Sequence, residues 1–200
     1  LAVALAEHAG WHDRGAFTLN AGDDLRYYRL RFPLPHARQI ERDAKKYGLD
    51  PAWVAALIRA ESAWVADARS HANARGLMQL LPATARQEAT LRGLRYPGDA
   101  GLFEPRDNLA LGIAHLATML QRHASQPYLA TAAYNAGPAP VARWLAQRPP
   151  SPSDVDLWID LGQPDESRIR KACARARQVV LVTYSGGSAE TADYKTVCTG

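Results

Sequence analysis

The stretch ALIRAESAW, residues 56–64, decides how this chain is read. It follows Asp50 and Pro51, a capping side chain and a residue whose fixed φ suits the first helical turn, so the spacing predicts a helix over residues 51 to about 65. At helical period Glu61 falls in line with Val54, Leu57 and Ile58. An ionised carboxylate on an apolar stripe is costly unless it is paired, so such a Glu has partners, lines a cleft or titrates high. One reading is a structural Glu bonded to Arg59 or to a helix terminus; the other is a working acid.

Outward from this helix, the pattern stays helical. A helix over 36–47 is stopped by Gly48. A polar loop over 70–76 and a short turn over 77–81 lead to Pro82, which opens a helix through Glu88. Residues 92–105 are rich in Gly and Pro and read as loop. Leu109, Ile113, Leu116 and Leu120 share one helical face, residues 128–135 form a short helix stopped by Gly137 and Pro138, and 141–146 form another. No segment before residue 150 alternates with period two, so the body is expected to be all-α.

The ends read differently. Residues 1–22 suggest a helical hairpin turning at 12–15, and Pro33 and Pro35 forbid a continuous helix through the connector 23–35, which puts a boundary near His36. Beyond the proline-rich 149–152 the reading weakens to a basic helix over 166–177, a strand-like VVLVTY and a tail. The first residues lack an initiator Met and the features of a signal peptide, and read as a cut piece or processed product.

Composition excludes some classes. With 47% hydrophobic and 22% charged residues the chain is a globular type, and no apolar run approaches the ~18 residues of a membrane span. A net charge of +4 mildly favours anionic partners, but Lys and Arg are dispersed, so no nucleic acid is expected. Cys173 and Cys198 leave both a disulfide and free thiols open, and lack the spacing of a metal site. No calcium loop or HExxH occurs and the six His are scattered, so no metal is expected.

Two further stretches bear on Glu61. GLMQLLPATA, residues 76–85, puts a Gly before an apolar turn that carries one amide, Gln79, and then a proline helix start; such a turn can hold polar groups against a cleft. AAYNAGPAPVARW, residues 132–144, sets Tyr134 beside Asn135 at a helix end, where hydroxyl and amide can orient a polar ligand while the ring stacks on it; a capped helix with a core tyrosine is the plainer reading.

Together these stretches resemble the motifs of lytic transglycosylases, specifically the soluble, Slt-type branch. The parts are Glu61-Ser62, GLMQ at 76–79 with Pro82, Thr84 and Ala85, LFEPRDNLALG at 102–112, and AYNAG at 133–137, covering roughly residues 36–148. The resemblance implies an all-α, lysozyme-like (goose-type-like) catalytic domain over 36–165, preceded over 1–35 by the end of an α-superhelical region and followed over 166–200 by an atypical C-terminal helix and tail. It further implies a monomeric, cofactor-free enzyme of the periplasm or cell envelope that acts on the glycan strands of peptidoglycan. Glu61 would be its single acid/base, cutting between N-acetylmuramic acid and N-acetylglucosamine to leave a 1,6-anhydro end.

Carried over by position, the resemblance makes Ser62, Ser70, Gln79, Leu81, Tyr134 and Asn135 substrate-binding. Ser70 and Gln79 would bond the acetamido group or Glu61, Tyr134 would bond the acid or contact the sugar, and Asn135 would shape the same wall. Leu81 stands where many relatives carry Met, keeping an apolar contact without the polarizable sulfur. Glu166, with Ser167 and Arg168, stands where the family has Glu-Thr-Arg, but the following Tyr-Val is absent. Two rival readings remain: a lysozyme-type hydrolase, with Asp67 as the nearest second carboxylate, and a non-catalytic peptidoglycan-binding module.

Overall fold

Prolines open five of the helices in the computed structural model, which describes residues 2–13 and 27–146. The helices are α1 (Ala2–His8), α2 (Tyr28–Arg31), α3 (Ala37–Lys46), α4 (Pro51–Ser62), α5 (Pro82–Arg92), α6 (Gly98–Gly101), α7 (Pro105–Arg122), α8 (Pro127–Ala136) and α9 (Pro138–Ala146). A proline at a helix start gives up an N–H that would have lacked an intrahelical partner anyway. No strand forms among the described residues; two isolated antiparallel bridges, Arg69 with Arg75 and Arg75 with Leu80, tie the segment between α4 and α5. Glu166, Cys173, Cys198 and the expected C-terminal helix and strand-like run lie outside the described residues.

The chain divides into two compact units, Leu1–Pro138 and Ala139–Gly200. In the first, α7 is the axis, packed by α3, α5 and α8. Its expected face is buried at Leu109, Ile113 and Leu116, and Leu111, Gly112 and Ala114 are buried too, so the helix is apolar nearly all round. Each such Leu or Ile removed from water contributes about 1.5–3 kcal/mol before the entropy of ordering is counted. Ile40, Val54, Ile58, Leu109 and Leu116 belong to one apolar cluster, and Leu80, Ala85, Leu102 and Leu111 to a second; Tyr134 packs against both.

Several boundaries differ from the sequence reading. Helix α4 stops at Ser62, not near Val65, because Ala63 (φ 51°) and Trp64 (φ 70°) adopt left-handed backbone. That conformation costs roughly 1–2 kcal/mol per residue. It turns the Trp64 ring into the first cluster, where it is 5% exposed. Helix α5 continues past Glu88 to Arg92, reaching Gly93, whose φ of 61° closes the C-terminus. The loop 92–105 contains α6, and the connector before Pro33 contains α2, one turn that ends before the prolines exclude further helix. Helix α1 turns at Gly10 (φ 76°), earlier than the expected 12–15, and the second half of the hairpin lies outside the described residues.

Candidate active site

Glu61 sits in the last turn of α4. The helix is set by its other end, where Asp50 Oδ1 accepts from the Ala52 amide at 2.8 Å and Pro51 begins the first turn. Val54, Leu57 and Ile58 are buried below Glu61, and Ser62 turns its hydroxyl back on the Ile58 carbonyl at 3.2 Å. Among the described residues the Glu61 carboxylate makes no hydrogen bond or ion pair. The Arg59 guanidinium lies instead 5.0 Å over the Phe32 ring. Burial without compensation pushes the Glu61 carboxyl up to about 7. An acid of that strength is substantially protonated at neutral pH and still able to lose its proton.

The turn over 76–81 is fixed by packing that leaves no room for a methyl group. A Cβ on Gly76 would lie 2.3 Å from the Leu102 carbonyl oxygen and 2.4 Å from Asn108 Nδ2, and its φ of 73° disfavours any other residue. A Cβ on Gly112 would lie 2.4 Å from Met78 Sδ, so that glycine on α7 makes the socket for Met78. Asn108, completely buried, donates through Nδ2 to the Arg75 and Leu102 carbonyls at 2.8 and 2.7 Å and accepts from the Met78 amide at 2.8 Å. Three points of irregular backbone are thereby held by one side chain.

Gln79 projects from this turn with φ 45°, left-handed for a residue with a side chain. Its Nε2 donates to the Ala68 and Gly76 carbonyls at 3.1 and 2.9 Å. Two carbonyl partners fix the amide's orientation, because only the NH2 end can donate to them. The Oε1 end is left as an acceptor. Ser70 has the opposite polarity: its Oγ accepts from the Ala74 amide at 3.0 Å, leaving the hydroxyl proton available to donate.

Tyr134, near the end of α8, donates its hydroxyl to the Met78 carbonyl at 2.8 Å, so its hydrogen bond goes to the turn and not to Glu61. Burial, then the negative charges of Glu61 and Glu88, raise its phenol well above the ordinary value. Glu61 therefore lies within electrostatic reach of the ring. Trp53 on α4 donates to Thr131 on α8 at 3.1 Å, joining the two helices that carry Glu61 and Tyr134. Leu81 is 42% exposed at the start of α5, and Asn135 is exposed at the end of α8. Glu166 lies outside the described residues. Asp67 borders a cavity of about 500 Å³ together with Trp11, His12, His36 and Trp64, and Glu61 is not among its walls.

Gly76 lies in the GLMQ stretch and Asn108 and Gly112 in LFEPRDNLALG, with no task that the sequence alone gives them. Asn108 was open to detection, since it is a polar residue beside the apolar face of α7, the same signal that singled out Glu61. Among the described residues no group of three or more His, Cys, Asp or Glu side chains is placed to hold a metal ion, and no helix is long and apolar enough to cross a membrane.

Comparison with known proteins places this arrangement. The chain is 32% identical over 136 residues to the soluble lytic murein transglycosylase of Salmonella typhimurium, covering 68% of this chain and 21% of that protein. It is 33% identical over 113 residues to membrane-bound lytic murein transglycosylase C of Histophilus somni, covering 52% of this chain and 31% of the relative. Among solved structures it resembles an inactive glutamate-to-glutamine mutant of lytic transglycosylase Slt from Pseudomonas aeruginosa, at TM-score 0.70 and 35% identity over 84% of this chain and 27% of that one. The 70 kDa soluble lytic transglycosylase of Escherichia coli is similar at TM-score 0.65 and 29% identity, over 72% and 24%. The chain thus spans about a fifth of the length of the soluble curated relatives it matches. Residues 145–196 match a second family, YaeQ protein, a range that includes the departure from the Slt pattern at Glu166–Arg168. Residues 38–155, more than half of the chain, match the transglycosylase SLT domain, and the chain belongs to that family.

Proposed function

We propose that this chain carries a peptidoglycan lytic transglycosylase of the cell envelope, with Glu61 as its single acid/base. The observation that carries the reading is the state of Glu61: a carboxyl without a partner among the described residues, on the apolar end of α4, with its pKa pushed up to about 7. In the protonated form it gives its proton to the glycosidic oxygen between N-acetylmuramic acid and N-acetylglucosamine as the C1–O bond breaks. The substrate's acetamido group stabilises the electron-poor C1. Ionised Glu61 then takes the proton of the C6 hydroxyl as O6 bonds to C1, which closes the 1,6-anhydro ring and restores the acid with no water consumed.

The polarity of the proposed binding groups suits the same substrate. Gln79 Oε1 can accept from the acetamido N–H and Ser70 can donate to its carbonyl, while Leu81 offers an apolar edge. Ser62 and Asn135 flank the two key side chains in sequence. On this reading the catalytic domain begins near His36 and residues 1–35 close an upstream helical region, in keeping with a family match that starts at residue 38. The YaeQ match over 145–196 supports treating 166–200 as foreign to the usual catalytic domain and leaves Glu166 the weakest of the proposed site residues. A hydrolase would need a base beside the sugar, and Asp67 borders a cavity whose walls do not include Glu61.

The test is mass spectrometry of products from purified sacculi. Muropeptides ending in 1,6-anhydromuramic acid, lighter than reducing ends by one water, are expected. Predominantly reducing ends would make the protein a hydrolase, and release of nothing, with the glycan still bound, would make it a binding module.

A further inference from the structure

Behind Tyr134 lies a second carboxylate that the reaction does not use. Glu88 on α5 is almost fully buried, its side chain 3% exposed. Its Oε1 accepts from Thr118 Oγ1 at 2.6 Å and from Arg92 Nε at 3.2 Å, and its Oε2 lies 3.4 Å from His115 Nδ1. Arg92 also donates to Thr118 Oγ1 and Gln121 Oε1, at 2.9 and 3.1 Å. An ionised carboxylate can only accept, so His115 Nδ1 must carry the proton that faces it. The imidazole is thereby held at one edge, and its ring lies against Tyr134 with centroids 5.1 Å apart at 53°. Tyr134 in turn bonds Met78 O, one residue before Gln79.

We propose that His115 is a positioning residue for the candidate active site: anchored by Glu88, it fixes the Tyr134 ring, and through the Met78 carbonyl it fixes the turn that presents Gln79. The proposal rests on the reading of Glu61 as the acid and adds a residue to it. The contacts run without a gap from α5 and α7 to α8 and the turn. Because Gln79 is left-handed and Tyr134 sits at the seam of the two apolar clusters, a small rotation of the ring moves the carbonyl that it holds. Misplacement of a group that orients substrate lowers turnover without necessarily weakening binding.

The experiment compares anhydromuropeptide release, as kcat and KM, with thermal melting in four proteins: wild type, His115→Phe, Glu88→Gln and the double variant. His115→Phe keeps a ring against Tyr134 but loses the Nδ1 anchor. Glu88→Gln keeps an oxygen and a hydrogen-bonding edge for His115. In the double variant the carboxylate that the missing imidazole leaves one partner short is replaced by an amide, so this protein also serves if His115→Phe alone fails to fold. The expected result is a kcat about tenfold lower in His115→Phe with KM within about twofold, Glu88→Gln within about threefold of wild type, and a double variant that melts no lower than His115→Phe yet keeps the low kcat. Wild-type kcat in His115→Phe, or recovery of kcat together with melting temperature in the double variant, would reduce the cluster to a packing role and overturn the proposal. Glu61→Gln is assayed alongside. If it stays active, the acid assignment fails; if it is inactive while His115→Phe turns over normally, only the positioning role falls.

Discussion

Glu61 at the end of α4 and Glu88 in the middle of α5 are the same residue in opposite surroundings. Glu61 is half-buried and Glu88 almost fully buried, and burial alone would push both carboxyls up. At Glu88 hydrogen bonds from His115, Thr118 and Arg92 outweigh burial and hold the carboxyl below its ordinary value. At Glu61 nothing outweighs it. The difference separates a carboxylate that strengthens the fold from one that the fold must tolerate, and a group tolerated at a cost is the better candidate for chemistry.

The sharpest way to break the contrast is Glu61→Gln, which keeps volume and removes the proton. Muropeptide release is expected to fall by roughly 10²-fold or more. A variant that keeps over about a tenth of the wild-type rate would leave Glu61 without the role its surroundings suggest. For the intact acid, the rate should decline as pH rises through about 7, because only the protonated carboxyl can donate.

Glu88→Ala probes the other side. It strips an acceptor from Thr118, Arg92 and His115 and should lower stability by about 2–3 kcal/mol, read as a shift in denaturation midpoint. The folded Glu88 pKa lies below the unfolded one, so its contribution is present above the unfolded value and lost as pH falls through the folded value. The deficit of the alanine variant should therefore shrink toward strongly acid pH; a deficit that is constant with pH would mean packing and not charge.

The stability effect of Glu61→Gln should have the reverse sign. Here the folded pKa is about 7 against an ordinary value of 4.5, so the ionised form opposes folding. The penalty is absent below the unfolded value, grows between the two and is complete above the folded one. The uncharged amide should make the protein more stable by about 1–3 kcal/mol at pH 7 and leave its stability unchanged at about pH 4. A variant that melts lower at pH 7 would reveal a favourable partner for the carboxylate. The smallest effect is expected next door: Ser62→Ala removes only a bond back to the Ile58 carbonyl at 3.2 Å and should change stability by less than about 1 kcal/mol.

What could be read without coordinates were the parts set by local chemistry. Asp50 and Pro51 start α4 where their side chains dictate, and the apolar face of α7 is visible as Leu109, Ile113 and Leu116. The end of α4 was not legible, because no Gly or Asn marks Ala63 and Trp64 as left-handed; burial of the indole decides it, and that is a tertiary effect. Within the site, the position of Glu61 on its stripe was plain. The bond from Tyr134 to a carbonyl 56 residues away was not, nor were the donors that α7 supplies to Glu88 across 27 and 30 residues.

The Asn108 clamp has a consequence for the timing of motion. The Met78 amide belongs to an irregular turn, and amides in such turns commonly exchange with solvent hydrogen quickly. Here its hydrogen points at a buried side-chain oxygen on α7, and Met78 itself is 0% exposed. Exchange then requires the turn to leave the helix, which strips Asn108 of its partners and empties the socket at Gly112. Met78 should accordingly show protection near that of the central α7 amides, making a loop by shape a member of the slowest-opening part of the first compact unit.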